Sequence, residues 1–141
     1  MRDELTRRCQ TIEECYEFML AYAAQGLAGD AGSQSGGQLR DALGRAVSAL
    51  SGLAEVAAML VDRERLEPAE RYNAFLAVLD RDARDALAAL QLVQAQASIS
   101  SQLIDNLNAS IHLRALLTDL FLVDEILKGQ PSATGPTDVR S

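Results

Sequence analysis

Apolar residues recur at three- and four-residue steps over most of this chain, the pattern of helices that bury one face. In the first segment Ile12, Cys15, Tyr16, Met19, Tyr22, Ala23 and Leu27 keep that spacing. Thr11-Ile12-Glu13-Glu14 reads as a capping box that opens the helix, with Thr11 at the N-cap and Glu14 three residues on. Residues 3–10 are also helix-compatible, so an earlier start is the alternative. Gly26, Gly29 and the run SQSGG at 33–37 end the element, and residues 28–38 are expected to form one long flexible connection between helices 1 and 2.

From 37 to 64 the apolar stripe is continuous, through Leu39, Leu43, Ala46, Leu50, Leu53, Ala57 and Leu60. Beside it stand Gly44, Ser48 and Gly52 at four-residue steps. Small residues at that spacing let another backbone come close. Such packing would offset the cost of two glycines inside a helix, about 1 kcal/mol each relative to alanine. Leu66-Glu67-Pro68 marks a break, and Pro68 suits the first turn of the next helix. Ala69 to Lys128 then runs without glycine or proline. As one straight helix it would reach about 90 Å. A turn near 97–101 with Ser98 as N-cap is therefore expected, the alternative being a continuous helix exchanged between subunits. The third helix buries Tyr72, Phe75, Leu76, Leu79, Ala83, Ala86, Leu90 and Val93, and the fourth covers 98–127. The predicted fold is all-α: an antiparallel four-helix bundle over 1–128, possible as an oligomer, followed by a disordered polar tail at 129–141.

Composition agrees with helices and narrows the partners. The chain is 48% hydrophobic but 4% aromatic, and Ala and Leu pack helices closely while suiting strands poorly. A net charge of −7 leaves no basic stripe of the kind nucleic acid requires, so no nucleic-acid partner is expected. The stretch Leu113 to Val123 is interrupted by Arg114, Thr118 and Asp119 and is short of a membrane span. The opening MRDELTRRCQ has no apolar core of a secretion signal. A cytoplasmic location is the expectation. Lys128 is the sole lysine against many arginines, a bias of GC-rich bacterial genomes.

Several chemistries lack their residues. Cys9 and Cys15, six apart, fit neither a zinc knuckle nor a CxxC pair, and each reads as a small buried hydrophobe. One histidine and no ExxH remove a di-iron bundle, and no CxxCH points to haem. The frames GxxxxGK[ST] and GxSxG are absent. Histidine phosphotransfer bundles carry His-x-x-Lys-Gly, whereas here His112 is followed by Ala115 and Leu116 at the lysine and glycine places. No catalytic residue, metal or cofactor is expected.

Two sets of residues on the last helix remain as candidates. Asp105, His112 and Asp119 are seven apart, with Asn108 one turn before His112. On a continuous helix they share a side, where carboxylates favour a protonated histidine. Leu113, Leu116, Leu117, Leu120, Phe121, Val123 and Leu127 cover more than one face, a surplus that implies a second buried contact. The polar half before it, including Gln94, Ser98, Ser100, Gln102 and Asn106, would set register in that contact. The expected function is non-enzymatic: an accessory, adaptor or chaperone-like subunit that acts through protein–protein contacts and oligomerisation, with itself or a heterologous protein as partner. The alternatives are a small-molecule or pH-sensing bundle built on His112, and an amphipathic protein of a granule or lipid surface.

Overall fold

Leu5, Cys9, Ile12, Cys15, Met19 and Tyr22 are all buried along one side of the first helix, α1 (Arg2–Ala23). Residues 3–10 therefore belong to it, and Thr11 lies mid-helix rather than at a cap. Inside a continuing helix the N–H groups a capping box would satisfy are already bonded one turn back. The computed structural model describes residues 2–130, so the tail from 131 onward lies outside the described residues.

Helix α2 (Gln34–Leu50) opens at Ser33, whose Oγ accepts the Gly36 N–H at 2.9 Å. The apolar stripe expected over 37–64 continues into α3 (Leu53–Arg63), but the two are separate helices. Gly52 takes a left-handed φ of 82°, which a side chain would strain, and Ser51 is extended. The Ser51 N–H and hydroxyl both donate to the Val47 carbonyl, at 3.1 and 2.9 Å. Gly52 is thus a breaker, not a packing notch.

Within residues 34–63 lies a stretch long and apolar enough, by length and composition alone, to cross a membrane. Leu39, Leu43, Leu50, Leu53 and Leu60 of this span lie in the intrachain core, and Ser51–Gly52 interrupts the run.

Helix α4 (Ala69–Gln94) is followed by a turn, as expected, and then by α5 (Ser101–Ala109) and α6 (Ile111–Lys128). Ser100 caps α5 in place of Ser98, its Oγ accepting the Leu103 N–H at 3.0 Å. Ser110 ends α5 and caps α6, with ψ of 145° and its Oγ taking the Leu113 N–H at 3.3 Å. The expected long fourth helix is therefore two. Among the described residues the protein is all-helical, in six segments where four long helices were expected. Helix α1 packs on α2 and α5, and α4 packs on α6, α3 and α2, around a core of leucine and alanine.

The connection between α1 and α2 is not the flexible loop its glycines suggest. Leu27 exchanges backbone and side-chain hydrogen bonds with Ser101: the Ser101 N–H donates to Leu27 O at 2.8 Å, and the Leu27 N–H donates to Ser101 Oγ at 2.9 Å. Ser101 Oγ in turn donates to Tyr22 O, and the Tyr22 hydroxyl donates to Ile99 O, both at 2.7 Å. Asp30 accepts the Ile99 N–H at 2.7 Å and pairs with Arg40 at 2.8 Å. Gly36 packs against the Asp30 carbonyl so closely that no Cβ would fit there. Ser101 and the Ile99 backbone thus stitch this connection to the α4–α5 turn.

Candidate functional site

Leu113, Leu116, Leu117 and Leu120 are buried in the intrachain core. Helix α6 meets α4 on one side and α5 and α1 on others, so it has more than one covered face. Most of the surplus read as an outward contact is satisfied within the chain. The remainder of that set lies one to two turns further on. Val123 and Leu127 are half-buried against the core, and Phe121 is 56% exposed.

Val123 and Leu127 border a groove where α3 and α6 end and α4 begins. Val123, Ile126 and Leu127 form one wall, Leu60 and Val61 of α3 another, and Tyr72, Phe75 and Leu76 of α4 the third, with Leu5 of α1 at the base. The groove holds about 170 Å³, and Arg71 is the single charged residue lining it. Arg71 is exposed and makes no ion pair among the described residues. Leu122, exposed one turn before Ile126 on α6, carries the apolar surface out of the groove, whereas exposed Phe121 lies on the far side of that helix from Val123. Tyr72 and Phe75, expected in the core, are half-buried here because no helix covers their outer side.

The polar stripe does not stay together. Its members share a side only on an unbroken helix, and the break at Ser110 shifts the phase between α5 and α6. Asp105 is exposed, and His112 is exposed in the first turn of α6. Asn108 is buried, and its Nδ2 donates to Met19 O at 3.1 Å, which ties α5 to α1. Asp119 is buried on α6 with Asp82 of α4 beside it.

Burial first, and then the neighbouring Asp82 carboxyl, raise the Asp119 pKa from 3.8 to about 7. The folded protein thus holds a proton that the unfolded chain has released. Stability should be highest below about pH 4 as far as this group is concerned, and should fall as pH rises from there through about 7. Asp119→Asn is expected to flatten that slope and to raise the urea midpoint at pH 8, measured by denaturation across pH.

Cys9 and Cys15 are buried and free. Burial, with help from Glu13 and Asp124, pushes the Cys9 thiol up to about 12, so it stays protonated and is a poor nucleophile at neutral pH. Among the described residues no group of three or more His, Cys, Asp or Glu side chains is arranged to hold a metal ion. No family model matches the chain, and neither the curated proteins nor the solved structures compared with it yield a match.

Proposed function

We propose that this protein is a non-enzymatic helical accessory or adaptor subunit whose groove between α3, α4 and α6 receives an apolar side chain from a helix of another protein chain. The groove's lining is the observation that carries this reading: ten apolar or aromatic side chains and one arginine around a space of about 170 Å³. That space is smaller than the roughly 300–1,000 Å³ of small-molecule sites. It suits a single bulky anchor of the kind that dominates protein interfaces. Leu122 and Ile126 supply exposed apolar surface beside it, which a partner helix would cover. Unpaired Arg71 at the rim favours a carboxylate on that helix.

The six segments can be grouped into four antiparallel rods, α1, α2 with α3, α4, and α5 with α6. In that arrangement the groove is a gap at one end of a four-helix bundle. A second copy of the chain and a different protein both offer such helices. The test is photocrosslinking: benzoylphenylalanine at Tyr72 or at Ile126 should yield a defined protein–protein adduct in the cell that makes the protein, and the same residue at Leu92 should not.

A further inference from the structure

A second concavity lies between α1 and α2, and its character is the reverse of the apolar groove. It is open, holds about 570 Å³, and is lined by Arg7 and Arg8 of α1 and Arg40 and Arg45 of α2. Only two carboxylates, Glu4 and Asp41, line it. With Asp30, which pairs with Arg40 from outside the lining, four arginines meet three carboxylates, a local excess of one positive charge in a chain of net charge −7.

Two of the arginines are held in place by backbone carbonyls. Arg8 Nη1 donates to Ala49 O at 3.1 Å and to Ser51 O at 2.6 Å. Arg40 donates to Gln94 O and Gln96 O, each at 2.8 Å, besides its pair with Asp30. Arg8 also pairs with Glu4, its Nε donating to Oε2 at 2.8 Å, so both guanidiniums are charge-paired as well as fixed by carbonyls, and little side-chain freedom is left for a ligand to remove. The other two are outer arms. Arg7 and Arg45 have side chains 67% and 49% exposed, and each pairs only with a carboxylate of its own helix, Glu4 and Asp41. Exposed pairs of that kind are weak, and a dianion can take their place.

The floor of the concavity explains a glycine that packing does not. A Cβ at Gly44 would meet nothing nearer than Gln94 Nε2 at 3.9 Å, and its backbone is ordinary helix. No neighbouring backbone approaches it, contrary to the packing role expected of the Gly44–Ser48 steps. A helix-interior glycine lowers stability relative to alanine, and here what it leaves open is the space between the arginines. Ser48, one turn on, adds a hydroxyl to the same floor.

We infer that the α1–α2 concavity binds a small phosphate-bearing polyanion, gripped by Arg7, Arg8, Arg40 and Arg45 above Gly44 and Ser48. Guanidinium forks match phosphate oxygens in pairs, and the volume falls in the range of small-molecule sites. No aromatic side chain lines it, so the recognised chemistry is the phosphate groups and not a stacked base.

The probe is inorganic pyrophosphate, titrated calorimetrically into the full chain at low ionic strength. One saturable site is expected, with affinity falling as salt is added. The double variant Arg7→Gln with Arg45→Gln should weaken binding tenfold or more. Gly44→Leu should remove binding while circular dichroism is unchanged and Tm is equal or higher. The double variant Arg81→Gln with Arg84→Gln removes the same charge from exposed positions on α4 and should bind within twofold of the original protein. Absence of saturable heat overturns the inference. So does full binding by Gly44→Leu, or a loss in the α4 variant equal to that in the groove variant.

Discussion

Leu120→Asp is expected to abolish cooperative folding. Leu120 is 1% exposed, in the core where α6 meets its neighbours. Truncating a buried leucine costs about 2–5 kcal/mol. A carboxylate there would have no cationic partner, and an unpaired buried charge costs several kcal/mol more. Together these are comparable with the whole stability of a domain, about 5–15 kcal/mol. Far-UV circular dichroism should show loss of most helix, or urea denaturation should show no native baseline. The neighbouring Phe121→Asp should shift stability by no more than about 1 kcal/mol, since that side chain is mainly in solvent. A Leu120→Asp protein that stayed fully helical and changed only its size in light scattering would place this leucine row in an interface between chains.

Asp30→Ala is expected to loosen the α1–α2 connection and to destabilise the protein by about 1.5–3 kcal/mol, the range for hydrogen bonds to charged groups. Its carboxylate takes the Ile99 N–H on one oxygen and Arg40 on the other, and Arg40 also holds the end of α4 through Gln94 O and Gln96 O. The Arg40 hydrogen bond first, and the Ile99 N–H next, lower the Asp30 pKa from 3.8 to about 2. A depressed carboxyl stabilises the fold above the unfolded value, and that contribution is lost as pH falls from about 4 towards 2. Urea midpoints at pH 7 and pH 2 should therefore differ less in Asp30→Ala than in the original protein. Hydrogen exchange should rise in residues 24–33. Asp80→Ala breaks an exposed pair with Arg84 and should cost no more than about 1 kcal/mol.

The sequence carried the helices well and their interruptions poorly. Periodic apolar residues located the helical regions because a buried face leaves that period whatever it packs against. The breaks at Ser51–Gly52 and Ser110 are local events in which one or two residues satisfy carbonyls and N–H groups by capping, and both sit inside unbroken apolar patterns. Missing Ser110 had the larger consequence. It made Asp105, His112 and Asp119 look like one stripe, whereas Asp105 and His112 are in solvent and Asp119 is buried beside Asp82.

The candidate groove was legible only in part. The surplus on 113–127 was visible, but a one-dimensional pattern gives the width of an apolar face and not the number of helices that cover it. Val123, Leu127 and Phe121 bordered open surface, while the four leucines did not. Tyr72 and Phe75 belong to the groove because α4 begins where α3 and α6 end, a register that no local signal encodes. The glycines gave the connection before α2 the signature of a loop, while its order depends on Asp30 meeting Ile99 and Leu27 meeting Ser101 from distant parts of the chain.

The protein-docking role of the groove is tested most directly by in-cell photocrosslinking at four positions of the full-length protein, with adducts identified by mass spectrometry. Tyr72 and Ile126 line the groove. Leu92 and Ile111 are exposed apolar residues towards the other ends of α4 and α6. Leu92 lies about 24 Å along the helix axis from Leu76. The expected result is one shared adduct from the two groove positions, with the crosslinked site on an apolar helix face of a second copy or of a single companion protein, and none from Leu92 or Ile111. No adduct from Tyr72 and Ile126, or the same mixture of adducts from all four positions, would contradict a docking groove.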